Sequence, residues 1–462
     1  MLLQVAKQRV WSLLLPFLLL VSLSAIAQKK KLGSETAAQK DARMNWWTNG
    51  RFGMFIHWGL YALPARHEWV KSREFLTNEQ YQKYFENFNP DQYDPASWAR
   101  KAKAAGMKYV VLTAKHHEGF CLFDSKYTDY KSTNTGARRD LLKEYVEAFR
   151  AEGIKVGFYY SLLDWHHPDY TIDIKHPLRP QDRNDTAAYN RLNAGKDMEK
   201  YRQYMRNQIT ELLSNYGKID IIWLDFSFPA DGYIGKSKTD WGSEELLRLI
   251  RKLQPGIIVD NRLDLEAYED GQDFETPEQV SSSTLAKYKG KTWETCQTFS
   301  GSWGYYRDEN SWKTNRQLLD LLISSVSNGG NLILNVGPTA RGVFDYRANR
   351  ALDSIGYWMQ ANSKAIYGCT FAPDIYKTPV SDLTKTSYNQ STKKLYIFLY
   401  DYPSSGRLVL PGYKGKIKYA QFLHDYSELI TNESADNAAD LILNLPRQKP
   451  PYEIPVVELT LN

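Results

Sequence analysis

Between residues 52 and 336 one pattern recurs: a short, continuous apolar run rich in β-branched and aromatic residues, followed by a stretch with helical periodicity. The runs fall at 52–58, 109–115, 156–161, 219–225, 257–262, 273–276, 293–297 and 331–336. An apolar run without alternation suits a strand covered on both faces, as in a parallel sheet. The stretches between carry helix punctuation. Asp94-Pro95 opens one at 94–105 and Gly106 stops it; Asp140 opens another at 140–152 and Gly153 stops it. Further helices are predicted over 198–216, 243–253 and 316–327, with a closing helix at 347–362. Eight strands alternating with helices predict a parallel α/β barrel. Irregular segments around the sixth and seventh runs predict that it is distorted, and a doubly wound open sheet is the other arrangement compatible with the pattern.

After Cys369 the pattern changes. Short β-type runs at 394–399, 407–410, 417–422, 441–445 and 456–461, divided by Pro, Gly and Asn turns, predict a C-terminal antiparallel β-sandwich. The expected organisation is a barrel over 28–368 and a sandwich over 369–462. Residues 1–27 read as an export signal: Lys7 and Arg9, then an apolar stretch at 10–24, then Ala25-Ile26-Ala27 as a small-x-small cleavage site. The stretch is short for a membrane span, and no Cys follows it to carry a lipid. The expectation is a periplasmic or secreted protein with no membrane attachment after cleavage. An uncleaved N-terminal anchor is the alternative.

The net charge of +6 drops to +4 when residues 1–27, with Lys7 and Arg9, are removed. That is mild for 462 residues and forms no basic stripe, so nucleic acid is not an expected partner. Cys121, Cys296 and Cys369 are too few to build a disulfide framework, and none sits in a CxxC or zinc spacing. They read as small buried hydrophobes. The 13 Trp, 32 Tyr and 18 Phe residues suit both a large core and a sugar-stacking cleft.

In such a barrel the reacting groups come from the C-terminal ends of strands and the loops after them. Read this way, the runs deliver His57; His116, His117 and Glu118; Tyr160 with Asp164; Trp223 and Asp225; Asn261 and Arg262; Glu275 and Glu278; and Glu294, with Trp303 in the following loop. Asp225 stands out, because a carboxylate directly after Ile-Ile-Trp-Leu is costly to desolvate unless donors surround it. A helix cap is its bland reading, made less apt by Pro229 and Gly232. Cleavage of a glycosidic bond needs two carboxyl groups. Asp225 is one; Glu278, Glu294 and Glu275 compete for the other, and spacing does not choose. His116-His117-Glu118 is not HExxH, and adjacent histidines on a strand point to opposite faces, so no metal is expected. The segment 329–338 is glycine-rich but lacks the GK[ST] of a phosphate loop.

At these residues the sequence resembles the α-L-fucosidases of glycoside hydrolase family 29. The resemblance is carried by Phe52-Gly53-Met54-Phe55-Ile56-His57-Trp58-Gly59, Glu68-Trp69, Lys115-His116-His117-Glu118-Gly119-Phe120, Tyr159-Tyr160-Ser161, Trp223-Leu224-Asp225, Asn261-Arg262, Trp293-Glu294-Thr295-Cys296, Ser302-Trp303-Gly304-Tyr305 and 331–337, in family order across roughly 44–368. It implies an α/β fold, a distorted (β/α)8-like barrel with a C-terminal antiparallel β-sandwich. It implies an exo-acting, retaining α-L-fucosidase that needs no cofactor and acts on fucosylated oligosaccharides or glycoconjugates. Asp225 matches the nucleophile position. Thr276-Pro277-Glu278 resembles the acid/base segment, which makes Glu278 the expected acid/base and Glu294 the reserve. His57, Glu68, Trp69, His116, His117, Tyr160 and Arg262 match positions around the sugar hydroxyls and the nucleophile. Phe55 and Trp303 match the apolar wall for the fucose methyl, with Trp223 nearby. The family often has Asp after the paired histidines, where this chain has Glu118. A different exo-glycosidase, for instance one for galactose, and a non-catalytic carbohydrate-binding protein are the competing readings.

Overall fold

The computed structural model describes residues 31–229, 234–376, 378–379 and 383–462. The expected export signal at 1–27, and Gly232, lie outside them. Seven parallel strands form one sheet: β1 (Phe52–Ile56), β2 (Tyr109–Lys115), β3 (Lys155–Ser161), β4 (Ile221–Asp225), β5 (Ile258–Val259), β6 (Glu294–Thr298) and β7 (Asn331–Val336). Their order is β5-β4-β3-β2-β1-β7-β6. The remaining run, 273–276, departs from the expectation of an eighth strand. It is held by single bridges, Asp260 to Phe274 on one side and Glu275 to Trp293 on the other, and so joins the two sheet edges. The reason is chemical. Asp273 spends its carboxylate on the Val259 N–H, Arg43 and Arg251, and Pro277 has no N–H to offer a ladder.

The helices follow their punctuation. Asp94 caps Pro95–Ala104 through the Ser97 N–H, and Asp140 caps Leu141–Ala151 through the Lys143 N–H. Gly106 (φ 87) and Gly153 (φ 75) take the left-handed turn that ends each stretch. Met198–Asn215, Ser243–Leu253, Asn315–Ser327 and Tyr346–Asn362 complete the predicted set.

The strands bury two layers. Met54, Ile56, Val110, Leu112, Phe158, Tyr160, Ile222, Leu224, Leu332 and Leu334 pack outward in the cluster shared with the helices. Phe55, Tyr109, Val111, Tyr159, Ile221, Trp223, Cys296 and Ile333 face inward, together with Met44 and Trp47 from the helix Ala37–Gly50. That helix lies against the strand starts, where Asn331 Nδ2 donates to the Trp47 carbonyl (2.8 Å). The opposite end of the barrel is left open for the site.

The C-terminal region holds two antiparallel sheets. One orders β11 (Ile417–Phe422), β14 (Val456–Leu461), β9 (Lys394–Leu399) and β8 (Thr384–Asn389); the other orders β10 (Arg407–Leu410), β13 (Leu441–Asn444) and β12 (Thr431–Glu433). They share one apolar cluster, with Ile397, Leu459 and Phe422 from the first meeting Leu408, Leu410 and Leu443 from the second. β8 and β12 were not legible as apolar runs. β8 buries hydroxyls (Thr384, Thr386, Ser387), and β12 is exposed throughout.

Candidate active site

Beyond the strand ends, Phe55, His57, Glu68, Trp69, His116, His117, Tyr159, Trp223, Asp225, Phe226, Glu278, Cys296 and Trp303 surround a small pocket. Larger grooves exist, one between Leu32–Glu35 and the helix Ser243–Leu253, but none of them brings an imidazole to its carboxylates. The chemistry lies in the smaller space.

Asp225 closes β4 and is buried. Its Oδ2 accepts from the Tyr159 hydroxyl at 2.7 Å, and its Oδ1 lies 3.5 Å from Arg262 Nη1. Burial pushes its carboxyl up to about 6; Arg262 opposes this and Glu278 adds to it. Arg262 also reaches Glu278 through Nη2 (3.0 Å) and donates through Nε to Thr276 Oγ1 (2.8 Å). One guanidinium therefore spans both candidate carboxylates, and its face lies 5.1 Å from the Trp223 ring. Glu278 is 43% exposed and faces the pocket mouth. Phe226, next after Asp225, holds φ 93, a strained value for a side chain. Its ring is fixed against Trp69 and His117, 5.6 and 5.3 Å away.

The histidines are set by their back sides. Asn335 Nδ2 donates to the Trp303 carbonyl (2.7 Å), so its Oδ1 accepts from His57 Nδ1 (2.7 Å). Ser161 Oγ donates to the Leu163 carbonyl (2.9 Å), so it accepts from His117 Nδ1 (2.7 Å). Both imidazoles thus present Nε2 as an acceptor. Burial holds His57 down to about 3 and His117 well below the usual imidazole range, so both are neutral. Glu68 is the opposite case. Burial works to raise it, but His67 and the Gly304 N–H hold it at about 2. It accepts from the Trp303 and Gly304 amides at 3.2 and 2.9 Å. Gly337 lets that loop close on the site, since a Cβ there would lie 2.6 Å from the Gly304 carbonyl carbon.

The structure corrects several sequence expectations. Tyr160 does not face the pocket. Its hydroxyl donates outward to Gln208 (2.8 Å), and Lys115 sits over its ring. Side chains alternate along a strand, and the register pairs Tyr159, not Tyr160, with the inward Trp223. Glu294 is the first residue of β6 rather than the last. It lies on the barrel floor, accepts from the Tyr109 hydroxyl, and is pushed by burial to about 8 with Trp47 and Trp223 as neighbours. Glu275 pairs with Lys291 away from the pocket (2.9 Å), and Asp164 pairs with Lys115 behind it (2.9 Å). His116 and His117 both line the pocket, rings 3.9 Å apart, because the pair follows the end of β2 in a turn where strand alternation no longer applies. Tyr159, Phe226 and Cys296 were missed. Parity with Trp223 was the available signal for Tyr159, but it requires the register.

A family model described as Alpha-L-fucosidase matches residues 19–364. The chain is similar to α-L-fucosidase isoenzyme 1 from Paenibacillus thiaminolyticus, 42% identical over 92% of this chain and 99% of that one, with a TM-score of 0.82. It is similar to an α-L-fucosidase from Bacteroides thetaiotaomicron solved as a trapped covalent intermediate, at 28% identity, TM-score 0.78, covering 94% of this chain and 98% of that one. Among curated proteins it is 31% identical to the tissue α-L-fucosidase of Bos taurus over 79% of this chain and 76% of that protein. With matches of this extent across the chain that builds the pocket, the protein belongs to the α-L-fucosidases of glycoside hydrolase family 29.

Proposed function

We propose that this chain is an exo-acting, retaining α-L-fucosidase in which Asp225 is the nucleophile and Glu278 the acid/base. The observation that carries the reading is the single Arg262 guanidinium shared by Asp225 and Glu278 at the open end of the barrel. In the first step Asp225 Oδ1 attacks the anomeric carbon while Glu278 gives its proton to the leaving glycosidic oxygen. A fucosyl ester on Asp225 results. In the second step Glu278 takes a proton from water, which displaces Asp225 and releases fucose with its configuration retained. The trapped covalent intermediate of the Bacteroides relative supports this route.

The lining suits a 6-deoxy sugar. Phe55, with Trp223 and Trp303 at 5.2 and 6.0 Å, offers an apolar wall for the C6 methyl. His57, packed beside Phe55 and Trp303, and His117 offer acceptors for hydroxyl protons next to that wall. A galactoside would press a hydroxyl against the apolar wall and leave it without a partner, at a cost of about 1–3 kcal/mol. Fucosylated oligosaccharides or glycoconjugates outside the cytoplasm are the proposed substrates, with cleavage after residue 27 and a barrel–sandwich division near residue 368.

The test is Asp225→Ala on an aryl α-L-fucoside. Turnover should fall by ~10⁴-fold or more, and azide should restore release of the aryl group with the β-fucosyl azide as product. Activity close to wild type would remove Asp225 from the mechanism. A wild-type galactoside rate equal to the fucoside rate would remove the substrate assignment.

A further inference from the structure

Glu278 is 43% exposed, so beyond the Arg262 ion pair at its carboxylate its placement rests on its backbone. That backbone is pinned at two places. Upstream, Cys296 N donates to the Pro277 carbonyl (3.2 Å) and Gln279 N to the Cys296 carbonyl (3.1 Å), so Glu278 rides on β6. Immediately after it, Gln279 holds φ 46, a left-handed conformation that costs a non-glycine residue on the order of 1 kcal/mol and persists only where neighbours enforce it.

The second pin lies downstream. The chain passes Val280, whose carbonyl accepts from Gln297 Nε2 (3.0 Å), and enters the 3-10 turn Ser282–Tyr288. The first hydroxyl of that turn, Ser282 Oγ, donates to Asp320 Oδ2 at 2.9 Å. Asp320 stands on the barrel helix Asn315–Ser327, yet its other oxygen serves the C-terminal sheet: Lys385 Nζ on β8 and the Tyr400 hydroxyl just after β9 both reach Oδ1 at 2.5 Å. Ser324 Oγ adds a bond at 3.1 Å. Partial burial acts to raise this carboxyl, but the Lys385 and Tyr400 bonds hold it below the usual range.

We propose that Asp320 is a positioning residue through which the C-terminal sheets hold the Glu278 segment in register. The C-terminal region then contributes to the acid–base half of the reaction rather than to fucose binding. This rests on Glu278 being the acid/base. The leverage is geometric: a displacement of about 1 Å at a proton-transferring group costs up to ~10²-fold, and general acid catalysis as a whole contributes about 10²–10⁴-fold. A misplaced acid hurts most where the leaving group needs protonation, and it leaves sugar binding alone.

The experiment compares 2,4-dinitrophenyl and phenyl α-L-fucosides, a good and a poor leaving group, across Glu278→Ala, Asp320→Ala, Lys385→Met and Ser282→Ala. Asp320→Ala should lower kcat/KM for the phenyl substrate by roughly tenfold and change the dinitrophenyl value by less than about twofold. Lys385→Met and Ser282→Ala should show the same signature at smaller size, and Asp320→Ala should add nothing in a Glu278→Ala background. Equal losses on both substrates, or none, overturn the coupling while leaving Glu278 in place. If Glu278→Ala itself lacks the leaving-group dependence, the acid/base assignment fails, and the coupling with it. Should Asp320→Ala not fold, Ser282→Ala decides, since it removes one hydroxyl and leaves the Asp320 ties to Lys385 and Tyr400 intact.

Discussion

The Tyr159 hydroxyl and the Arg262 guanidinium are the two groups that keep Asp225 usable, and each has a measurable consequence. On the proposed mechanism Asp225 attacks as the ionised carboxylate, and burial raises it to about 6, so kcat/KM should fall as pH drops through about 6. Tyr159→Phe removes a hydrogen bond to the charged form. The acid limb should then move up by about one pH unit and kcat should fall; an unmoved limb would show that Tyr159 does not act on Asp225. The same raised carboxyl affects stability. Its folded-state pKa lies above the ordinary value of 3.8, so ionisation favours the unfolded chain. The cost is absent below pH ~4 and complete above about 6. Asp225→Asn, which leaves Arg262 its Glu278 partner, should therefore abolish activity yet stabilise the fold at pH 7 by about 2 kcal/mol or less, read as a higher Tm. A lower Tm in that variant would mean that the ion pair outweighs desolvation. Asp225 was legible in the sequence as a carboxylate ending an apolar run. Tyr159 was not, because choosing it over Tyr160 requires knowing which face of β3 meets Trp223.

At the scale of elements, the loops after β2 and β3 are tied behind the pocket by a buried ion pair. Lys115 Nζ lies 2.9 Å from Asp164 Oδ2 and also donates to Tyr201 (3.3 Å). Asp164 Oδ1 caps the His166 and His167 amides (3.0 and 2.9 Å). Between them Trp165 N donates to the His117 carbonyl (2.7 Å), and its ring lies 5.2 Å from both Trp69 and His117. Burial pushes Asp164 up, and Lys115 together with His166 and His167 more than offsets this, holding it at about 2. Lys115→Met would leave an unpaired buried carboxylate and should destabilise the fold by about 3–5 kcal/mol, with KM for the fucoside rising as the wall loosens. Lys115→Met combined with Asp164→Leu should recover much of that stability; a double variant as unstable as the single would place the cost elsewhere in the loop. The helices were legible because caps and stops are local chemistry: Asp94, Asp140, Gly106 and Gly153 act within four residues of where they stand. The segment 273–276 was not, because its departure from a ladder depends on Arg43 and Arg251, which lie far from it in sequence.

For the whole molecule, the four-stranded C-terminal sheet is part of the barrel's own core. Trp358, Met359 and Ile366 cluster with Tyr396, Phe398, Leu423, Ile454 and Val456. Trp358 Nε1 donates to the Ile454 carbonyl at 2.8 Å, and Arg51 Nε donates to the Cys369 carbonyl at 2.8 Å. A chain ending at residue 368 would bare this apolar face. It should accumulate as insoluble protein or unfold well below the full chain, as scanning calorimetry would register; a truncated barrel of unchanged Tm would make the C-terminal region energetically separate. From its order of residues alone, the chain determined its parallel barrel, its second antiparallel module, six of its helices and the family to which its pocket motifs belong, while the helices Ala37–Gly50, Asn78–Glu86 and Thr186–Asn193 went unread. These rest on periodicity, caps and short contiguous motifs, all read along the chain. The tertiary structure alone decided that Tyr159 and not Tyr160 faces Asp225, that Glu294 lies on the floor while Glu278 shares Arg262 with Asp225, and that Asp320 ties the Glu278 segment to Lys385 and Tyr400. Each of those is a matter of register or of contact between residues distant in sequence, which closing the barrel and docking the sheets bring within hydrogen-bonding reach.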